Sequence, residues 1–449
     1  MTRVTTRRTT AIGAAVTACW VAALALPAPA AAQDTTQARE GVRVGINYTP
    51  GTRPGLVVVP GTGIDSVRAI VQRDLDFSDR FEMINLGTPG TAGDAAPAGP
   101  LNYGLYKTLG ATFALELVDE GTRVTARLHD VASSTLRNQT SVTLPPPSDA
   151  NFRLAVHVLS DEVARWATGI PGIAATRILL VMNGRVYQVD SDGFGMRPLT
   201  PEGRTALSPV WSPDNRSFAY TRFAGGRGGV FVQTIATGEA VQVPGTETAL
   251  NITPAFSPDG RSVAYAHSDE RGTNVFVADV AKHCCAQRLT VGGFADNLSP
   301  TFSPDGQRIA FISTRSGPPQ VYVMAADGTD QELFAPFDFG SSGSSNAPEW
   351  SPDGSSVVFH REVSGTPQLF VLTVAGRNLR QLTSSGRNED PTWAPDARHV
   401  AFVSDRSGQR QLWVIDSETG RVRQLKTPGR ARLPSWSRRL AGAALAPKP

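Results

Sequence analysis

The chain has 449 residues, 43 basic and 40 acidic, and only 7% of it is aromatic. That length asks for more than one ordinary domain, and the aliphatic content excludes wholesale disorder. The near-balanced charge, with no basic cluster interleaved with aromatics, excludes a nucleic-acid-binding surface.

The first 32 residues read as a secretory signal. Arg3, Arg7 and Arg8 precede an apolar run from Ala11 to Leu26, and Ala30-Ala31-Ala32 offers a small-residue cleavage site before Gln33. The run is short for a membrane span and is broken by Pro27 and Pro29. Arg7-Arg8 hints at twin-arginine export, but Thr9 and Thr10 do not support it. Cys19 lies inside the apolar run, which continues past it and argues against a lipid anchor. Cleavage removes three Arg and no acid, so the mature chain carries 40 charges of each sign. The expectation is a periplasmic protein that does not insert in the membrane.

Residues 33–170 read as a small α/β domain. Val42-Arg-Val-Gly-Ile and Gly55-Leu-Val-Val-Val are strand-like. Asp65 to Leu75 places Val67, Ile70, Val71 and Leu75 on one helical face. Residues 87–100 are rich in Gly, Pro and Ala and read as a loop, and Thr112-Phe-Ala-Leu-Glu-Leu reads as a strand. Val124, Ala126 and Leu128 alternate with Thr125, Arg127 and His129, the pattern of a half-exposed strand. Asn151 to Thr168 carries a helical apolar stripe, and Gly169 to Gly172, with Pro171, ends it.

Residues 176–440 repeat. The phrase appears as Pro209-Val-Trp-Ser-Pro-Asp-Asn, Pro254-Ala-Phe-Ser-Pro-Asp-Gly, Pro300-Thr-Phe-Ser-Pro-Asp-Gly, Pro348-Glu-Trp-Ser-Pro-Asp-Gly and Pro391-Thr-Trp-Ala-Pro-Asp-Ala, with a truncated copy at Pro434-Ser-Trp-Ser. The aromatic anchors Trp211, Phe256, Phe302, Trp350, Trp393 and Trp436 are spaced 45, 46, 48, 43 and 43 residues apart. A period in the mid-forties fits a four-stranded propeller blade. Within each unit, an aromatic ends a strand and a Pro-Asp-Gly turn reverses the chain. Strands such as Val263-Ala-Tyr and Val275-Phe-Val then follow. Arg177 to Thr200 supplies a unit lacking its innermost strand, and the phrase around Trp436 supplies an innermost strand lacking its unit. Joining them predicts a six-bladed β-propeller closed by the C-terminal strand, which removes two exposed sheet edges. The chain is therefore expected to be multidomain, α/β followed by all-β, with residues 441–449 as a tail.

No catalytic constellation emerges. Gly340-Ser-Ser-Gly-Ser fails the nucleophile-elbow pattern at its last position, although propellers do precede hydrolase domains and a propeller-type hydrolase or sugar-active enzyme is the alternative reading. Asp190-Ser-Asp-Gly lacks the third acid and distal Glu of a calcium loop and reads as a turn. The adjacent Cys284 and Cys285 read as part of a turn, the competing readings being a vicinal disulfide or, with His283, a metal mimic. His267 and His360 follow blade strands, either at the central mouth or on solvated loops. The recurring Asp214, Asp259, Asp305, Asp353 and Asp396 occupy one turn position and read as structural. No cofactor or metal is expected.

Binding is expected on the face formed by loops before the innermost strands and after the second strands. Asn251, Asn297, Ser345 and Asn388 share one position there, three residues before the repeat Pro, and Arg222, Arg361, Glu389, Asp405 and Arg406 lie nearby. Two readings stand side by side: a polar ring around a funnel that receives a protein, or Asn residues that cap turns.

The resemblance that these residues carry is to the TolB family of the Tol–Pal envelope system. It runs through Val42 to Pro60, Asp74-Leu-Asp-Phe-Ser-Asp-Arg-Phe, Leu105-Tyr-Lys-Thr-Leu-Gly-Ala, Arg127-Leu-His-Asp-Val, His157-Val-Leu-Ser-Asp-Glu-Val, Gly169 to Ile178, the repeat phrases and Leu433-Pro-Ser-Trp-Ser. It implies a non-enzymatic monomer whose propeller binds Pal, the peptidoglycan-associated lipoprotein. It also implies that the mature N-terminus, here around Val42 and Val44, binds TolA in support of outer-membrane integrity and cell division. Two departures bear on this: Gln33 to Glu40 precede the first matching strand, and Ala441 to Pro449 extend past the usual end.

Overall fold

The computed structural model describes residues 53–86, 101–225, 227–282, 286–291, 295–335 and 343–440. The signal segment, Val42 and Val44, the 87–100 loop, the Cys284–Cys285 pair and the 441–449 tail lie outside them.

The first element group is β1 (Gly55–Val58), α1 (Asp65–Phe77), β2 (Glu82–Ile84), α2 (Tyr103–Thr108), β3 (Ala111–Asp119), β4 (Arg123–Asp130), β5 (Thr135–Thr143) and α3 (Phe152–Thr168). The strands form one sheet in the order β2-β1-β3-β4-β5. The apolar stripe of α1 and the stripe of α3 close on it, burying Val67, Val71 and Leu75 against Leu115, Leu128 and Leu159. The expected alternation in β4 is corrected at two positions, because Thr125 and His129 are buried. Thr125 bonds Glu120 and Ser141, and His129 Nδ1 lies 2.9 Å from the Tyr103 hydroxyl on α2. The polar face of the strand is thus covered by neighbours that alternation alone does not reveal.

α3 ends at Gly169, which takes φ 80° and donates its N–H to Arg165 O. The next turn is fixed by Asp161, whose carboxylate accepts from the N–H groups of Ala174 and Ala175 at 2.7 and 3.0 Å. Gly172 is required there, because a Cβ would collide with Asp161.

The repeats fold as β-meanders. The strands are β6 (Arg177–Met182), β7 (Arg185–Asp190), β8 (Arg197–Pro198), β9 (Thr205–Trp211), β10 (Ser217–Ala224), β11 (Arg227–Thr234), β12 (Ala240–Gln242), β13 (Leu250–Phe256), β14 (Ser262–Asp269), β15 (Gly272–Asp279) and β16 (Gln287–Arg288). They continue as β17 (Asn297–Phe302), β18 (Arg308–Ser313), β19 (Gln320–Ala325), β20 (Glu332–Leu333), β21 (Ser345–Trp350), β22 (Ser356–Val363), β23 (Thr366–Thr373) and β24 (Leu379–Gln381). The last are β25 (Asn388–Trp393), β26 (His399–Ser404), β27 (Gln411–Asp416), β28 (Val422–Leu425) and β29 (Arg432–Trp436). Four separate four-stranded sheets result: β17–β20, β21–β24, β25–β28, and β29 with β6–β8. The strands β9–β16 form one eight-stranded sheet, in which two meanders meet at a single bridge, Gly228 to Leu250. The described residues therefore give five sheets in this region, not six separate ones.

The two ends of the repeat region meet in one sheet. Trp436 pairs with Ile178 and Arg432 with Val181. Trp436 is buried, its indole N–H donates to Thr176 Oγ1 at 2.8 Å, and its backbone N–H donates to Thr392 Oγ1 in the neighbouring sheet. Facing sheets bury mixed layers between them. Ala394, Ala401, Leu412 and Val414 of one pack on Ile178, Leu180 and Trp436 of the next.

Candidate functional site

The Ser-Pro-Asp-Gly turns are structural at atomic detail. Ser257 Oγ donates to Asp259 Oδ1 at 2.6 Å, the same oxygen accepts the Arg261 N–H, and Ser257 Oγ accepts the Ser262 N–H. The pattern recurs at Ser212/Asp214, Ser303/Asp305 and Ser351/Asp353. The serine hydroxyl first, then the backbone N–H, hold Asp259 and Asp305 below their ordinary pKa. These carboxylates are occupied acceptors and leave no general acid or base there.

Asp396 departs from the pattern because Ala394 replaces the serine. Its carboxylate accepts from His399 Nδ1 at 2.8 Å, and His399 Nε2 lies 3.1 Å from Asp79 Oδ2 in the turn after α1. Arg421 and Arg423 also donate to Asp79, Arg80 lies 3.5 Å from Asp396, and Arg398 pairs with Asp416. This cluster, buried at Asp79, Asp396 and His399 and open to solvent at Arg421, joins the turn after α1 to the turns of β25–β28. A second latch sits at β7–β8: Arg153 pairs with Asp190 and Asp192, Arg73 pairs with Asp192, and both guanidinium groups lie over the Phe194 ring. The Asp190-Ser-Asp-Gly turn therefore faces arginines.

Two carboxylate–imidazole groups among the described residues have ligand-like proximity, Asp74/His157/Asp192 and Asp79/His399/Asp416. In the first group Asp192 already faces Arg73 and Arg153 while Asp74 meets His157 and Ser160; in the second Asp79 and Asp416 face Arg398, Arg421 and Arg423. Positive charge is supplied by the protein itself, which disfavours a metal ion.

The innermost strands surround a central cavity of about 820 Å³, lined by the six repeat prolines Pro209, Pro254, Pro300, Pro348, Pro391 and Pro434. The residue before each proline has a left-handed backbone, with φ between 50° and 53°: Ser208, Thr253, Ser299, Ala347, Asp390 and Leu433. Each marks a bulge where the pairing register shifts. Sequence reasoning missed this device. Its signal was the fixed proline itself, because a bulge frees that position from the ladder. Glu349 and Asp390 bring carboxyl groups to this wall. Burial pushes Glu349 up to about 7, against bonds from the Thr392 hydroxyl and the Trp393 N–H. Burial likewise raises Asp390 and lowers its neighbour His360, whose Nδ1 accepts the Asp390 N–H at 3.2 Å.

At the end of the sheets away from the Ser-Pro-Asp-Gly turns lie the expected docking residues. Asn251, Asn297, Ser345 and Asn388 have 0% exposure, and the three amides bond within the loops, as in the loop-capping one of the two readings. Asn388 Nδ2 donates to Gln368 Oε1, Ser385 O and Gly386 O. Asn251 Nδ2 serves Gly228 O, Thr246 O and Thr248 O, and Asn297 Nδ2 serves Thr273 O and Ala295 O. These amides fold the loops over themselves because the loop carbonyls have no strand partner. Arg361 is also buried, with Nε donating to Ser345 Oγ at 2.9 Å. Arg406 donates to Asn388 Oδ1 at 2.7 Å and lies over Trp413. Asp405 accepts the Arg387 N–H, and Glu389 pairs with Arg387 and Arg410. Arg222 lies 3.4 Å from the centre of the Phe231 ring. The structure thus brings the propeller candidates to one end of their sheets. His267 belongs to the same set, bonded to Asn251 and tilted against the Phe276 ring.

Successive β-meanders, locked end to end by β29 and enclosing a proline-lined cavity, define a β-propeller protein. The family model for the TolB beta propeller domain matches residues 165–336 and 339–445, more than half of the chain. The chain belongs to that TolB propeller family. It is 29% identical over 213 residues to the Tol-Pal system protein TolB of Bordetella avium, covering 45% of this chain and 47% of that one. It is 32% identical to the Tol-Pal system protein TolB of Methylococcus capsulatus, covering 42% and 47%. The chain thus spans about half the length of the curated relatives it matches. The crystal structure of TolB from Acinetobacter baumannii superposes with a TM-score of 0.75 at 23% identity, covering 87% of this chain and 98% of that one, a likeness of fold. Among the described residues, no helix is long and apolar enough to cross a membrane.

Proposed function

We propose that this protein is a periplasmic, non-enzymatic docking component of a Tol–Pal envelope system. It has six propeller blades, the eight-stranded sheet being two of them joined at one bridge, and residues 33–170 form a separate α/β domain. The propeller receives a Pal-like lipoprotein on the loop end that carries Asn251, Asn297, Ser345 and Asn388. The mature N-terminus around Val42 and Val44 engages TolA, in support of outer-membrane integrity and cell division, and the protein acts as a monomer.

The family match over the propeller carries this reading. The distribution of the first sheet adds to it: α1 and α3 occupy turns at the Ser-Pro-Asp-Gly end, through His399 and Asp192, which leaves the opposite loop end for a partner. The buried amides keep those loops in one shape, and the exposed Arg387 beside them offers charge to a partner. A preorganised surface lowers the ordering cost of docking.

The test is a pull-down of the lipoprotein with the mature chain. Arg387→Glu, at the loop end, is expected to weaken capture, while Arg261→Glu, at the turn end, is expected to leave it unchanged. Equal capture by both variants and the parent would move the interface elsewhere. Loss of TolA binding on deleting Gln33 to Asn47, with lipoprotein capture intact, is the expected result for the second partner.

A further inference from the structure

The repeat carries a second polar unit besides the turn, and one blade breaks it. In the meanders that begin with β13, β17, β21 and β25, a polar residue at the start of the innermost strand meets an imidazole or guanidinium from the end of the second strand. His267 Nδ1 lies 2.8 Å from Asn251 Oδ1, and Arg315 donates to Asn297 Oδ1 at 3.0 Å. Arg361 donates to Ser345 and Arg406 to Asn388. Each of these groups also lies against an aromatic ring of the third strand: Phe276, Tyr322, Phe370 and Trp413.

The meander that begins with β9 keeps the guanidinium and the ring but has no acceptor side chain at the matching position of its innermost strand; the Tyr220 hydroxyl beside Arg222 accepts from it and leaves most of the fork's N–H donors over. Arg222 stacks on Phe231, and its register partner on the innermost strand is Ala206, which has no acceptor. A cavity of about 240 Å³ opens at this point, lined by Thr200, Arg204, Tyr220, Arg222 and Gln233 among others. No Asp or Glu lines it. Among the described residues, neither Arg222 nor Arg204 is in an ion pair.

We propose that this inter-blade cavity binds a carboxylate group. A guanidinium fork offers parallel N–H donors that match a carboxylate, and stacking on Phe231 fixes its plane beforehand. The incoming group supplies the acceptor that Asn or Ser supplies in the sister blades, and adds the negative charge that two arginines call for. The Tyr220 hydroxyl is a further donor on the same wall. The volume suits one acidic side chain or a small free dicarboxylate, which share this chemistry. The protein source rests on the docking reading above; the pocket's chemistry does not.

The test uses the mature chain, with arginine Nε–H and backbone amide signals followed by NMR during titration with sodium succinate, and with succinamide as the uncharged comparator. Saturable shifts at Arg222 Nε–H, Gly228 and Gly229 are expected with succinate and not with succinamide. Arg222→Gln should weaken binding at least about tenfold. Ala206→Asn should do the same, because its amide oxygen takes the guanidinium as in the sister blades, while its melting temperature stays at or above that of the parent. Absence of a saturable succinate shift, an equal response to succinamide, or unchanged affinity in both variants would overturn the proposal. Given succinate binding, displacement of captured lipoprotein by succinate assigns the carboxylate to the protein partner, and retention assigns it to a free dicarboxylate. If the lipoprotein is not captured at all, the docking reading fails while the titration still decides the pocket.

Discussion

His399 bridges Asp396 at 2.8 Å and Asp79 at 3.1 Å, so each ring nitrogen faces a carboxylate oxygen. A neutral imidazole has one N–H and would set its lone pair against the other carboxylate. The ring is therefore an imidazolium. Burial opposes the charge, but Asp396 and then Asp79 outweigh it and hold His399 above its ordinary value. Arg80, Arg398, Arg421 and Arg423 balance Asp76, Asp79, Asp396, Asp416 and Glu418 only when His399 adds its charge.

A pH dependence follows from that bridge. A histidine whose folded pKa is raised contributes its full stability below the unfolded value near 6.5, and loses it as pH rises through the folded value. The first sheet should therefore loosen from the β25–β28 turns as pH rises above 6.5. His399→Gln should cost roughly 1–3 kcal/mol at pH 6 and less at pH 9. Limited proteolysis between α3 and β6 across that range checks it; a pH-independent rate in the parent chain contradicts it.

Glu349 acts in the same direction, at lower pH. Its folded pKa of about 7 lies above the ordinary 4.5, so the folded state holds a proton that the unfolded state has released. Stability is fully favoured below pH 4.5 on this account and falls as pH rises from there to about 7. Glu349→Gln should raise stability at pH 8 by something on the order of 1 kcal/mol, seen as a higher melting temperature, and change it little at pH 5. Thermal melts at the two values read the difference directly.

The Trp436–Ile178 pair makes the terminal strand a structural necessity. Trp436→Ala removes a buried ring and the donor to Thr176, and should cost about 3–5 kcal/mol. Truncation before Arg432 should abolish cooperative unfolding, since both partner edges of the ring are then exposed. A truncated chain with an unchanged, single melting transition would remove the closure from the account.

Asn388→Ala strips donors from the Ser385 and Gly386 carbonyls and the acceptor from Arg406. A loss of about 1–3 kcal/mol is expected, with faster amide exchange in residues 384–388. A binding defect without a stability defect would instead mark the amide as a direct contact.

The propeller was legible because its repeat is written in residues that local physics constrains. Pro fixes a backbone angle, Gly permits another, and the aromatic anchors recur at blade length. The short α2 and β2 were not legible, since three to six residues carry too little periodicity. Asn251, Asn297 and Asn388 looked like rim residues because polar side chains at strand starts usually meet water. Here the loops fold back and supply carbonyls instead, a fact that lies in tertiary space. The Asp79–His399 latch was invisible for the same reason, its partners being 320 residues apart.

The central claim is that the loop end of the propeller is the socket for a protein partner. Hydrogen–deuterium exchange of the mature chain, with and without a saturating Pal-like lipoprotein, tests it most directly. The account predicts new protection in residues 295–297, 343–345 and 384–388, with the Asp214, Asp259 and Asp305 turns unchanged. Protection confined to those turns, or none in the propeller, would contradict it.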